Sequence, residues 1–215
     1  MASTTRRPSN AADRRAALEQ RIMSVLAECL RQGVTFTEMS VEQIAKTAGI
    51  SRSTFYLYFR DKVDLLLRLS GSLKQKSYAI AAAWRPTGPG GGVDGLAHTY
   101  EMILAHYREH AALLKAINEV AAYDPAVHET WTADQDRFVD NLETVLREEQ
   151  RAGRTPGDID PRLSARLIIQ GGSQILAQQV AGSDGSDDAV VACELARTYW
   201  YGVYRRPAEG RPTPS

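Results

Sequence analysis

The chain has 215 residues, 43% of them apolar, which at roughly 150 residues per domain predicts one or two domains with a sizeable core. Lysine plus arginine and aspartate plus glutamate both number 26, so the formal net charge is zero and singles out neither a nucleic acid nor a membrane as partner. No apolar run approaches the roughly 18 residues of a spanning helix, and Met1 to Asn10 is polar, so neither membrane insertion nor secretion is expected.

The charge is unevenly spread. Residues 1–76 carry 13 basic against 7 acidic side chains, and residues 77–215 carry 13 against 19, so a basic third is joined to an acidic remainder. Two cysteines, Cys29 and Cys193, form no disulfide framework or C-x-x-C pair and are expected to be reduced, buried thiols of a cytoplasmic protein.

Helical periodicity begins with Leu18, Ile22, Val25, Leu26, Cys29 and Leu30, one stripe of a helix from about Ala11 to Gln32 that Gly33 ends. Ser40 and Gln43 form a capping-box pattern, opening a short helix with Val41, Ile44, Ala45 and Ala48 on its apolar face. It stops at Gly49, and Ser51 caps a third short helix running through Phe59. Asp61 caps a fourth, whose Val63, Leu66, Leu69, Leu73 and Ile80 lead to Trp84. The tract Pro86 to Gly92 breaks the pattern, and a fifth helix starts near Asp94. Further breaks at Arg108 to His110, Asp124-Pro125, Gly153 to Asp160 and Gly182 to Ser186 delimit four more, the last from about Asp187 to Tyr204. No strand pattern competes, so an all-α protein of about nine helices is predicted. Residues 1–10 are expected to be a disordered arm and 207–215 a disordered tail.

Two short helices joined at Gly49 form a helix-turn-helix, which offers the first turn of its second helix to the DNA major groove. That turn is Ser51, Arg52, Ser53 and Thr54; Phe55, Leu57 and Phe59 behind it are expected to pack. Arg52 suits a bidentate contact to guanine, Ser53 and Thr54 suit phosphate or base edges, and Tyr56 and Tyr58 offer hydroxyls to phosphates. Lys62 opposes the dipole of the fourth helix, which a nearby phosphate would explain. The candidate DNA contacts are Thr37, Ser40, Ser51, Arg52, Ser53, Thr54, Tyr56, Tyr58 and Lys62.

Residues 35–65 carry an A-G-I-S turn, an aromatic run ending in Y-L-Y-F and a following D-K-V-D-L. This stretch resembles the N-terminal domain of the TetR family of bacterial transcriptional regulators. The resemblance implies a DNA-binding domain of three helices over residues 11–60 and a ligand-binding and dimerisation domain over 61–206. It also implies a long linking fourth helix and a dimer formed by the last two helices. Tyr107-x-x-His110, Glu129-x-Trp131 and Phe138 are similar to the regulators of mycobacterial ethionamide-activating monooxygenases, whose ligand channel is apolar and aromatic.

Within the acidic part, Leu96, Tyr100, Ile103, Leu104 and Tyr107 share a face of the fifth helix, and Trp131, Phe138 and Leu142 share one of the seventh. The candidate ligand contacts are Leu66, Leu96, Tyr100, Ile103, Tyr107, Trp131, Phe138 and Gln174, the last flanked by Gly171 and Gly172, whose cost in a helix calls for a close approach. Helix eight, with Leu163, Leu167, Ile168 and Ile175, and helix nine, with Val191, Leu195, Tyr199, Trp200 and Tyr204, are expected to pair across a dimer. The expectation is a cytoplasmic homodimeric repressor of double-stranded operator DNA, released by a small apolar effector, without enzymatic activity, cofactor or metal. Two alternatives stand beside it. His106 to His110 matches the H-x-x-E-H of a zinc peptidase, against which stand Arg108, a helix break and the lack of a third ligand. The other is a helical interaction module that binds no DNA.

Overall fold

The computed structural model describes residues 9–206, the side chains of 9–13, Thr132 and Asp134 excepted. Of the arm expected to be disordered over residues 1–10, residues 1–8 lie outside the described residues, as does the tail 207–215, whereas Ser9 and Asn10 belong to the first helix. The described residues form nine helical rods and no strand. They are α1 (Ser9–Arg31), α2 (Val41–Thr47), α3 (Arg52–Tyr58), α4 (Lys62–Ala83), α5 (Gly92–Glu109), α6 (Ala111–Ala121) and α7 (Pro125–Arg151). The rod α8 joins Pro161–Arg166, a π-helical turn Leu167–Gly171 and Gly172–Gly182; α9 joins Asp188–Tyr199 to a second π-helical turn, Trp200–Tyr204. Among the described residues no helix is long and apolar enough to cross a membrane.

Helix ends follow the local chemistry. The Ser40 hydroxyl accepts from the Gln43 amide at 3.1 Å, and the Gln43 side chain accepts from the Ser40 amide at 2.8 Å, completing the capping box. Gly49, at φ 68°, occupies the left-handed region that a side chain disfavours, so the chain can leave α2 and enter α3 within the four residues 48–51. Asp160 caps α8 by accepting from the Leu163 amide at 2.9 Å, with Pro161 preset for the first turn.

The chain folds as two compact units, one of residues up to Gly71 with Ala112–Val127, the other Ser72–Ala111 with the chain from His128 onward. The division falls inside α4, not at residue 60, and α6 joins the N-terminal unit. The reason lies in a polar latch: Glu119 on α6 accepts from the amides of Phe36 at 3.0 Å and Thr37 at 2.8 Å and from the Thr37 hydroxyl. Leu18, Ile22, Leu26, Phe36, Ile44, Phe55, Phe59, Leu65 and Leu66 are buried in this unit, as are Leu113 and Ile117 of α6. In the second unit α5 packs on α8 and α9, and Val139, Leu146, Ile159, Ala165, Trp200 and Tyr204 form a buried cluster joined by Trp84. Arg108 fastens α5 to α9 by a bidentate pair with Asp188 and donates to the Ser183 carbonyl at 2.8 Å. Both cysteines are free and half-buried, not buried as expected.

Candidate nucleic-acid interface and ligand cavity

The helix-turn-helix is built from the inside out. Phe55 and Phe59, four residues apart, are both buried with their rings 5.2 Å apart, and they anchor α3. Leu57, expected to pack with them, is 82% exposed, because two residues on a helix turn it about 200° away from its neighbours' face. The first turn of α3 is arranged around one atom. Ser51 Oγ accepts from the Thr54 amide at 3.0 Å and lies 2.8 Å from both the Ser53 and Thr54 hydroxyls. Ser51 is therefore an N-cap. Arg52 is exposed, with its guanidinium 5.7 Å from the ring of the exposed Tyr56, and Tyr58 is half-buried. Arg52, Ser53, Tyr56 and Leu57 thus form the accessible surface of α3.

Two expected contacts have internal partners. Lys62 Nζ donates to the carbonyls of Thr37 at 2.7 Å, Met39 at 3.3 Å and Phe36 at 3.4 Å, and lies 5.5 Å from the Phe36 ring. An ammonium has three donors, and the loop between α1 and α2 occupies them. This corrects the phosphate explanation of its place at the start of α4. Thr37 is likewise taken up by Glu119 and by Tyr123, whose hydroxyl is 2.8 Å away. Burial raises the Glu119 carboxyl, but the hydrogen bonds from Thr37 and Phe36 outweigh it and hold the group below the usual carboxylate range. Ser40 is exposed and serves as the cap of α2.

The second unit holds a partly open cavity of about 570 Å³, within the usual size for a small-molecule site. Leu96, Tyr100, Ile103 and Tyr107 of α5 and Phe138 of α7 line it, all five expected, and Tyr78 stacks on Phe138 with ring centres 5.0 Å apart. Sequence reasoning missed the wall formed by Ser77, Trp84, Ile168, Ile169, Ser173, Tyr199 and Tyr204. The π-helical turn holds Ile168 and Ile169 there, a deviation with no signal in hydrophobic periodicity. The paired glycines do not mark the expected close approach: a Cβ at Gly171 or Gly172 would stand 3.4 or 3.6 Å from the Tyr199 hydroxyl, an ordinary contact distance, and that hydroxyl donates to the Leu167 carbonyl at 3.3 Å. Burial raises the phenols of Tyr100 and Tyr107, so both remain neutral donors, and the Trp84 indole N–H is buried without a partner.

Three expected lining residues are elsewhere. Leu66 is fully buried in the other unit. Trp131 lies outside the cavity lining, with Lys74 donating to its carbonyl at 2.7 Å and stacked 3.9 Å from its ring. Gln174 is exposed; its neighbour Ser173, one residue and about 100° around the helix, lines the cavity in its place.

Comparison with known proteins now bears on this geometry. Residues 33–69 match the family model for bacterial regulatory proteins of the tetR family, and residues 96–204 match that for the C-terminal domain of the transcriptional regulator EthR. The chain belongs to the TetR family. It is a DNA-binding transcriptional regulator with an EthR-type C-terminal domain. The HTH-type transcriptional regulator EthR of Mycolicibacterium smegmatis is 29% identical over 163 residues, covering 74% of each chain. EthR of Mycobacterium tuberculosis is 25% identical over 171 residues, covering 78% of this chain and 79% of that one. Among solved structures, the fatty acid degradation regulator FadR from Bacillus halodurans superposes with a TM-score of 0.70 at 17% identity, covering 86% of this chain and 95% of that one. Salmonella enterica GusR gives 0.70 at 20% identity over 87% and 95%. At those identities the structures speak to the fold alone. Both EthR relatives are named as regulators of transcription, which favours that reading of this regulator over a peptidase.

Proposed function

We propose that this regulator is a homodimeric repressor that binds a palindromic operator and is released by an elongated, mostly apolar effector. One observation carries the reading: a polar, exposed helix turn suited to reading DNA and a partly open, tyrosine-lined cavity of about 570 Å³ occur in one chain. Arg52 would read guanine, Leu57 would rest on a thymine methyl, and Ser53 and Tyr56 would contact phosphate or base edges. The unpartnered Trp84 indole N–H asks for an acceptor atom on the effector, such as a carbonyl oxygen.

The same two helices would form the dimer, through a partly different set of residues. Leu163, Leu167 and Ile175 of α8, all expected there, and Val190 and Tyr201 of α9 are exposed apolar residues that a partner would cover, whereas Ile168, Leu195, Trp200 and Tyr204 are buried within the subunit. A two-fold dimer places its α3 helices in successive major grooves about 34 Å apart. Selection of DNA fragments by the purified protein, followed by sequencing, tests this proposal. Enrichment of one palindrome, lost with Arg52→Ala, supports it; selection that enriches no palindromic sequence contradicts it.

A further inference from the structure

A second cluster stands apart from the cavity lining and the DNA-reading surface. His106, Glu109 and His110 share one face at the end of α5, and one ligand atom from each lies within 4.8 Å of the others. The structure answers two objections to a metal there that the sequence raised. The expected break falls at His110, the C-cap of α5, which leaves His106 and Glu109 on one helical face with His110 at its end, and Arg108 is directed to Asp188 and Ser183. The third objection fails because Glu109 can itself be the third ligand.

The surrounding hydrogen bonds prepare both imidazoles. His106 Nε2 lies 3.2 Å from the Leu73 carbonyl of α4, and His110 Nδ1 lies 2.9 Å from the His106 carbonyl. A carbonyl only accepts, so each of those nitrogens carries the proton, and the opposite nitrogens, His106 Nδ1 and His110 Nε2, are left with lone pairs. Histidines that hold metal ions are usually fixed in this way, by donating the remote N–H to a backbone carbonyl. The free nitrogen of His106 then stands out. The residue is 5% exposed, and Nδ1 is buried with no hydrogen-bond partner, 4.0 Å from Glu109 Oε2. A buried acceptor left without a partner destabilises the fold, and a bound ion removes that cost.

We propose that His106 Nδ1, His110 Nε2 and the Glu109 carboxylate form a binding site for a divalent transition metal of the zinc class. Two imidazoles and one carboxylate suit zinc, with water at the fourth position. Ligand atoms about 2.0–2.2 Å from a tetrahedral ion are about 3.3–3.6 Å apart, so the site closes when the exposed Glu109 and half-buried His110 move inward by about an ångström. Lys76 is near enough to oppose the ion, and the Glu109 charge offsets it. With Glu109 spent as a ligand no general base remains, so the site binds a metal without cleaving peptides. Because His106 is tied to the Leu73 carbonyl, the ion would stiffen the packing of α5 on α4.

The test is titration of the full-length, reduced, metal-stripped protein with Co2+, followed by visible absorption, and displacement of the cobalt by Zn2+. One cobalt per chain in a tetrahedral spectrum is expected, with a rise in melting temperature. His110→Ala and Glu109→Gln alter accessible side chains, so both should fold as wild type while binding at least about 10-fold more weakly. His98→Ala, at an exposed histidine outside the cluster, should bind as wild type. Failure of the wild type to take up either metal overturns the proposal, as does undiminished binding by His110→Ala and Glu109→Gln. DNA binding plays no part in the readout, so the outcome is independent of the proposed function.

Discussion

Single side chains in the N-terminal unit divide into those that hold the fold and those free to meet a ligand, and charge alone does not tell them apart. Arg52 and Lys62 are both cations next to the helix-turn-helix, yet Arg52 is exposed while Lys62 donates to three carbonyls. Arg52→Ala should weaken operator binding by about 1–3 kcal/mol, relax preference at one base pair, and leave the urea unfolding midpoint unchanged. Lys62→Met should do the reverse, lowering stability by about 1–3 kcal/mol as loop carbonyls lose their donor. Unchanged stability of Lys62→Met would return that residue to the DNA surface. Glu119 makes a pH-dependent contribution. Its carboxyl is held below its ordinary value, so its stabilisation is complete above an unfolded value of about 4.3 and is lost as the pH falls through the lower folded value. The stability advantage of wild type over Glu119→Gln should therefore be full at neutral pH and vanish in acid; an advantage that grows on acidification would refute the latch. The sequence displayed the type of each of these residues but not its partner, since Glu119 lies more than eighty residues from Thr37.

Among the helices, elements defined by periodicity and caps were legible, and departures from α geometry were not. The capping box of α2, the Gly49 turn and the breaks between rods all leave marks in residue type. The π-helical turns do not, because an extra residue per turn arises from tertiary packing of α8 and α9 and changes no local pattern. That is why the face of α5 lining the cavity was foreseen while that of α8 was assigned to Gln174 instead of Ser173. The cavity yields its own prediction. Ile103→Trp adds an indole where Ile103 is 7% exposed, and should abolish the thermal stabilisation given by apolar compounds while sparing DNA binding. Compounds that stabilise Ile103→Trp as they do wild type would bind elsewhere.

At the scale of the whole molecule, assembly and control depend on surfaces that one chain leaves unpaired. The exposed apolar residues of α8 and α9 predict that Leu167→Glu with Tyr201→Glu yields folded monomers with much reduced operator affinity, as seen by equilibrium sedimentation. Trp200→Ala is the contrasting case: its ring packs on Trp84 and Tyr204, so it should cost about 3–5 kcal/mol in stability instead of releasing a dimer. In the proposed dimer, control would require a ligand with different affinities for two states. Such coupling is typically about 1–3 kcal/mol and reciprocal, so DNA must weaken the ligand by the same factor that the ligand weakens DNA. The central claim is that the cavity governs DNA binding. Its most direct test is titration of the selected operator with wild-type protein, without effector and at saturation with an apolar compound that raises its melting temperature. The account predicts an operator affinity about 5- to 150-fold lower with the compound, and no change for Ile103→Trp. Wild-type affinity unaltered at saturation would contradict it.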